Sequence, residues 1–551
     1  MIRKWIQSGK PWIWLSASAV SISMVMVFGL LFLIAVRGLH HFWPSELVSY
    51  DYTSRGGSVV KLVGEVHETE SVSTQTLVDA GFDVDVSKKQ TTRYLVKVGN
   101  REIAGQDFRW LLQDKIQKRD TPKELIAMER REWGNFYGYL IAVKQQGKVV
   151  AEGDAAFAEL SNRVERALII NEKIQDIQHG EIGSINYQLE RLRLKERALE
   201  LKDNLTPVLI AEIESQRLSL QNEYKNLEKK QTTLYQQINR DSVVMQTADG
   251  RSVEIPLAKA VLVYQPNKMS ASEKIKLYFS KLWEFVSEEP REANTEGGIF
   301  PAIFGTVMMV IIMSIMVTPF GVVAAVYLRE YARQGPLTRL IRIAVNNLAG
   351  VPSIVYGVFG LGFFVYFLGG NIDQLFYPEA LPAPTFGTPG ILWASLTLSI
   401  LTVPVVIVAT EEGLSRIPKS IREGSLALGA TKAETLWRTI LPMASPAMMT
   451  GLILAVARAA GEVAPLMLVG VVKLAPSLPL DGNFPFMHLD RKFMHLGFHI
   501  FDVGFQSPNV EAARPLVYAT ALLLVLVIVV LNLAAIGIRN HLREKYRALE
   551  N

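Results

Sequence analysis

Apolar residues gather in six long runs, at about 13 to 36, 300 to 327, 348 to 368, 389 to 409, 447 to 472 and 515 to 537. Each is long enough to cross a hydrocarbon core, which takes about 20 helical residues. The first follows "MIRKWIQSGK" but outlasts the apolar core of a cleaved secretory signal, and no small-x-small cleavage site closes it directly before Arg37. It therefore predicts a retained anchor helix.

About 260 residues separate the first two runs, and their pattern changes period twice. The stretches "SVVKLVGEV", "RYLVKVG", "FYGYLIAVKQQGKVVAEG" and "SVVMQTADGRSVEIPLAKAVLVY" alternate apolar and polar positions around Gly-centred turns, the signature of strands. From about 154 to 240 the period becomes helical. Ile185, Leu192 and Leu199, then Ile213, Leu220, Leu227 and Leu234, fall seven apart, with Tyr224 and Ile238 at the intermediate spacing. "DNLTP" divides the two arms, with Asn204 or Thr206 as the cap of the second. This predicts a coiled-coil hairpin carried on a β-rich domain; a single long solvated helix is the competing expectation, because Gly180 and Gly183 blur the first arm. The segment "SASEKIKLYFSKLWEFVSEE" segregates apolar and charged positions at helical spacing and predicts an interfacial helix just ahead of the second run.

Composition agrees with spans plus an aqueous domain: of 551 residues, 49% are hydrophobic and 20% charged. The net charge of +5 could point to nucleic acid, but the basic residues cluster beside apolar runs, which is a membrane-topology pattern. With no cysteine there is no disulfide, thiol nucleophile or Cys-ligated metal.

Cationic short loops stay cytoplasmic. That rule places inside Arg3, Lys4 and Lys10, then Arg329, Arg333, Arg339 and Arg342, then Arg416, Lys419, Arg422, Lys432 and Arg438, then Arg539, Arg543, Lys545 and Arg547. The loop from 369 to 389 has no Lys or Arg and falls outside. Both termini are then cytoplasmic, and the region from 38 to 297 is an external insertion. The resulting division is an anchor over 1–37, an insertion over 38–297 with its hairpin at about 154–240, a helical core over 298–538 with a polar loop at 410–446, and a basic tail over 539–551.

That polar loop contains "EGSLALGATKAETLWRTILP", Glu423 to Pro442. Gly424 and Gly429 have the spacing of a phosphate-binding loop, but Ala430 and Thr431 stand where Lys and Ser/Thr are required. Neither a nucleophile elbow nor an H-E-x-x-H pair occurs, so no hydrolytic chemistry is expected. The loop predicts two short helices with Gly429 at the bend, the second capped by Thr431 with Glu434 three residues on and ended by Pro442. Such an elbow is either a docking surface anchored by Leu428, Leu436 and Trp437, or a loop packed on its own bundle.

The stretch resembles the EAA loop of ABC-transporter permeases, E-A-A-x3-G-x9-I-x-L-P, with Glu423, Gly429, Leu441 and Pro442 in register. It departs at Gly424, Ser425 and Thr439. "GGIFPAIFGT", "NNLAGVPSIVYGVFGL" and "ARAAGEVAPLMLVG" are similar to the phosphate-transporter permeases of the PstA type over roughly 297 to 540. The resemblance implies a six-helix type I importer bundle in a bacterial inner membrane, with an α+β periplasmic insertion as an addition. It also implies a second permease subunit in a heterodimer, an ATP-binding subunit dimer that alone uses ATP, and a periplasmic phosphate-binding protein. No cofactor, metal or nucleic acid is implied for this chain.

In the fifth run, Arg458 and Glu462 stand four apart, on one face of a continuous helix. Charges inside a span turn toward protein or a water-filled passage. A guanidinium fork suits an oxyanion, and Ala455, Ala459 and Gly461 leave room for one; the bland alternative is a pair that only neutralises itself. Glu462 could accept a proton from protonated phosphate or hold Arg458 while the passage is empty. A membrane sensor or scaffold that uses the insertion to bind a partner, or an importer of another oxyanion, are the competing functions. His488, His495 and His499 lie in an outer loop without a third ligand placed for a metal, and predict an interfacial helix.

Overall fold

The computed structural model describes residues 8, 10–54, 56–81, 84–85, 87–291, 294, 296–507 and 510–546. Arg3, Lys4 and Arg547 lie outside the described residues. The six apolar runs become helices Trp12–His40, Phe300–Tyr331, Ser353–Phe376, Ile391–Arg416, Lys432–Gly461 and Ala513–Glu544, spans one to six. Span four is the axle of the bundle. Its Ala394, Leu398 and Leu401 are fully buried and pack with Met309, Met313 and Val317 of span two and with Ala455 and Ala459 of span five. Two of its buried hydroxyls find acceptors on span two: Ser395 and Ser399 donate to the Met309 and Met313 carbonyls at 3.3 and 3.2 Å. Spans one and six, by contrast, present apolar side chains outward along their length, and span one packs chiefly on span six.

Close backbone approach locks span two to the loop between spans five and six. A Cβ built on Gly305 would sit 2.1 Å from the Met494 carbonyl oxygen, which is backbone and cannot yield. Gly305→Val is expected to push the two segments apart and to lower the yield of folded protein severely, read by size-exclusion chromatography of detergent extracts at matched synthesis.

Span five departs from its predicted limits at both ends. It stops at Gly461 rather than running to 472, because Pro465 has no amide proton and its ring would clash with the carbonyl four residues back, that of Gly461. Glu462 is accordingly in an extended conformation, φ −82° and ψ 126°, just past the helix end. At the other end Pro442 does not terminate the elbow. A π-helical turn over Leu436–Ile440 widens the ladder ahead of the proline, and the helix runs on through it into Leu441–Gly461.

Among the described residues the insertion holds two large antiparallel sheets and a two-residue pairing of Pro290–Arg291 with Glu296–Gly297. Strands β1 (Leu47–Thr53), β2 (Val59–Ser73), β3 (Gln90–Lys97), β4 (Phe108–Leu112) and β5 (Ile116–Asp120) form the first, in the order β4-β3-β2-β1-β5. Strands β6 (Leu125–Arg130), β7 (Phe136–Gln145), β8 (Lys148–Glu152), β9 (Asp241–Gln246), β10 (Ser252–Pro256) and β11 (Ala260–Tyr264) form the second, in the order β10-β9-β7-β6-β11 with β8 on β7. The four predicted strand regions are strands; β1, β4, β5 and β6 are additional.

The helical arms leave the second sheet after β8 and return at β9. The outgoing arm is Asp154–Gln175, a π-helical turn at Asp176–Ile182, and Gly183–Leu201; the return arm is Pro207–Ile238, capped by Thr206, whose hydroxyl accepts from the Leu209 amide. Ile177, Ile185 and Leu227 are buried between the arms, with Leu220, Tyr224 and Leu234 beside them. The first helix of the outgoing arm is committed elsewhere: Ala156, Leu160, Val164 and Ala167 pack on the sheet with Val143, Val243 and Met245. Residues 154–175 are therefore sheet cover as much as hairpin.

Where the arms return, Asp241 is 3% exposed and receives Arg163, Arg166 and Arg240 at 2.5, 2.8 and 2.8 Å. Burial alone would raise its carboxyl pKa, but the hydrogen bond from Arg240 and the charges of Arg163 and Arg166 hold it below the usual carboxylate range. Asp241→Asn strands those guanidinium groups and is expected to cost the insertion about 3 kcal/mol. Because the folded value is depressed, this stabilisation is present above the ordinary carboxylate range and is lost as pH falls through the depressed one. Limited proteolysis of wild type and variant across an acid titration checks both points: the difference should shrink as pH falls.

The outgoing arm also rests on the loop between spans five and six. Ser184 donates to the Asn483 side chain at 2.9 Å, the Tyr187 hydroxyl to the Phe484 carbonyl at 2.7 Å, and the Tyr187 ring meets His488 edge-on at 5.5 Å. Asp481 stiffens that loop by accepting from His488 and Arg491 at 2.9 and 2.7 Å. His495 and His499 are buried rather than facing outward, on a short helix Leu496–Phe501 and its cap. Among the described residues no group of three or more His, Cys, Asp or Glu is placed to hold a metal ion.

Candidate functional site: an arginine pair and a cytoplasmic-type elbow

Two constellations sit at opposite ends of span five. At the far end, Arg458 Nε lies 3.6 Å from Glu462 Oε1, and both side chains are partly open, 31% and 22% exposed. The pair survives the end of the helix because Glu462, although past the last turn, folds back beside it. Ala455 and Ala459, three residues before it and one after, are fully buried against span four, whereas the arginine side chain itself stays partly open. It faces the segment ahead of span three, where its Nη2 approaches the Ala349 carbonyl at 3.5 Å and the Tyr356 ring stands near. The guanidinium is thus held by one loose ion pair and one long hydrogen bond. Most of its five donors remain available to an oxyanion.

At the near end, the helix Lys419–Ala427 meets the start of span five at Gly429, whose φ of +89° is a left-handed conformation that favours glycine. Thr431 and Glu434 form a capping box: the Glu434 amide donates to the threonine hydroxyl at 3.2 Å, and the Thr431 amide donates to the glutamate at 2.9 Å. A 2.8 Å hydroxyl contact between Ser425 and Thr435 ties the two limbs. Leu436 is a correction to the docking set. It is 4% exposed and packs with Leu414, Ile417, Ile440 and Ala444, so it fastens the elbow to spans four and five instead of projecting from it. Leu428, 91% exposed, and Trp437, 74% exposed, do project, and Glu423 is exposed on the same first limb. Leu441 and Pro442 are half-buried at the start of the crossing helix.

Sequence reading missed what positions this elbow. Arg422 donates to Glu330 at 2.9 Å and to the Ile417 and Leu414 carbonyls at 2.6 and 2.8 Å, binding the end of span two to the end of span four. Lys432 lies over the Tyr331 ring at 4.4 Å, and Arg342 pairs with Glu411 at 3.2 Å. Such charges read only as orientation signals in the sequence.

Residues 317–548 match the family model described as "Binding-protein-dependent transport system inner membrane component". A "Phosphate transport system permease protein PstA 1" of Mycobacterium tuberculosis (strain CDC 1551 / Oshkosh) is 33% identical over 246 residues, 44% of this chain and 71% of that one. The chain belongs to the PstA-type permeases of this family. A "Probable ABC transporter permease protein YqgI" of Bacillus subtilis (strain 168) is 30% identical over 260 residues, 46% of the permease and 81% of the relative. A "Phosphate transport system permease protein PstA" of Yersinia pestis is 31% identical over 251 residues, 46% and 75% of the two chains. The permease is therefore a multi-pass inner-membrane transport subunit, and both constellations fall inside the matched residues. Its insertion between 38 and 297 lies wholly outside them.

Proposed function

We propose that this permease forms the membrane passage of an ATP-driven importer of inorganic phosphate. The observation that carries the reading is Arg458, a half-open guanidinium in the wall of an apolar bundle, loosely held by Glu462 at 3.6 Å. Phosphate offers oxygens that a planar fork can take in pairs, and Glu462 releases the fork as they arrive. The names of the mycobacterial and Yersinia relatives support phosphate over another oxyanion.

In this reading the chain is not an enzyme and binds no cofactor; ATP is used by a dimer of separate ATP-binding subunits. Those subunits dock at the elbow through Leu428 and Trp437, with Glu423 on the rim, Gly429 setting the bend, and Leu441 and Pro442 passing movement into span five. A second permease subunit completes a heterodimer, and a periplasmic phosphate-binding protein delivers the ion from outside. Both termini then face the cytoplasm and the insertion faces the periplasm. The contact of Ser184 and Tyr187 with the outer loop favours an added role for the insertion, sensing a partner at the outer mouth and stiffening or releasing that loop. Uptake of radiolabelled phosphate by cells carrying wild type or an Arg458 variant at matched membrane abundance tests the reading. Undiminished uptake in the variant would refute it.

A further inference from the structure

A second polar space lies away from the core. Between the first sheet of the insertion, the interfacial helix Ala271–Ser287, and the outer ends of spans one and six is a cavity of about 610 Å³. Its wall includes Arg37, in the last turns of span one, and Arg514 and Tyr518, in the first turns of span six. The cavity therefore sits at the level where a bilayer gives way to water. The helix above it marks the same plane, because Ile275, Phe279 and Trp283, four apart, are 48%, 64% and 72% exposed along one side, while Lys281 and Phe285 line the cavity from another.

Six Lys or Arg and six Asp or Glu line this space, so it is close to neutral as a whole. Most of them pair across the wall: Lys281 with Glu129, Arg291 with Glu284, Lys97 with Glu296, and Arg514 with Glu68. Four charged groups stand outside these pairs: Arg37 at the membrane rim, and Arg101, Glu65 and Asp107 on the insertion side. Arg37, exposed at the membrane rim, is held only by a 3.3 Å contact to the Tyr518 hydroxyl and by the face of that ring. On the insertion side Glu65 accepts a bond from Tyr137 at 2.9 Å and stands near Lys97 and Lys281, and among the described residues the buried Oδ1 of Asp107, also near Lys97, has no hydrogen-bond partner. A cation at the membrane edge and two carboxylates beyond it are complementary to a molecule with a phosphodiester near the acyl chains and a primary ammonium farther out.

We infer that this cavity binds a phosphoethanolamine headgroup, with Arg37 on the phosphodiester and Glu65 and Asp107 on the ammonium. A choline headgroup has no N–H to give those carboxylates, and a glycerol headgroup brings them no cationic donor. The occupant is a phospholipid of the outer leaflet, which would fasten the insertion to the bilayer beside spans one and six.

The test uses the full-length permease purified in nanodiscs of phosphatidylethanolamine, phosphatidylcholine or phosphatidylglycerol, then delipidated in mild detergent and weighed by native mass spectrometry. One phosphatidylethanolamine per chain should outlast washing, with the other two lipids retained at least tenfold less. Arg37→Gln and Asp107→Asn should each abolish that retention, while the proteolytic pattern of the insertion stays that of wild type. Competition by glycerophosphoethanolamine as effective as that by the diacyl lipid would keep the site and assign it to the soluble headgroup. Equal retention of all three lipids, or retention unchanged in both variants, would overturn the proposal.

Discussion

Arg458→Gln should lower phosphate uptake by about a hundredfold while leaving the permease inserted and its ATP-binding partners attached. Glutamine has a similar reach and keeps a hydrogen-bonding end, and the alanine face of span five that packs on span four is untouched. The variant lacks the fixed charge and the paired donors, each charge-assisted bond being worth on the order of 1.5–3 kcal/mol, so that losing two gives about 3 kcal/mol or more. The ion would also meet Glu462 without its counter-charge. The double variant Arg458→Gln, Glu462→Gln decides what the pair is for. If the two groups only neutralise each other, removing both restores much of the uptake; if Arg458 acts on the ion, uptake stays low. Radiolabelled phosphate influx at matched membrane abundance reads the difference, and recovery in the double variant would exclude a role for Arg458 in the passage.

The second large effect is expected at the elbow. Leu428→Asp and Trp437→Ala should each weaken retention of the ATP-binding subunits at least tenfold, with membrane abundance near wild type. An exposed leucine or tryptophan does little for its own chain, but burying one in a partner's pocket contributes about 2 kcal/mol, more when it is a central anchor. Leu436→Ala is the contrasting variant. It opens a cavity among Leu414, Ile417 and Ile440 and should cost about 2–5 kcal/mol of folding stability, lowering abundance first. Co-purification normalised to permease separates the two outcomes, and unchanged co-purification in both surface variants would remove the elbow from the docking surface.

The contrast between Leu436 and Trp437 shows where sequence reading stops. Both are large, apolar and adjacent on a helix-prone stretch, and they differ by about 100° around the axis. Which one faces the bundle depends on spans four and five, whose placement is not local. Composition over 20 or more residues identified the spans, and capping residues located Thr431 and narrowed the return arm's cap to Asn204 or Thr206, of which the structure uses Thr206. The clamp of Arg422 on Glu330 joins residues 92 apart, so no window reveals it. The short strands β1, β5 and β6 were missed because five to seven residues beside a span or a turn carry little periodic signal. Arg458 and Glu462 were legible as charges in an apolar run, but the helix end between them was decided by Pro465, three residues beyond the glutamate.

The unbroken passage of the elbow into span five makes that span a lever. From Leu441 to Arg458 a helix rises about 25 Å, at 1.5 Å per residue. Tilting it by about 10° about its elbow end would carry the guanidinium, with Glu462 beside it, roughly 4 Å sideways, enough to break its hold on the Ala349 carbonyl. The π-helical turn at Leu436–Ile440 is the natural pivot, since its wider ladder can be tightened or loosened where the straight part above cannot. A stroke of a few ångströms at the elbow would then reach the charged end of the lever as a mechanical displacement. No relay of side chains through the bundle is required.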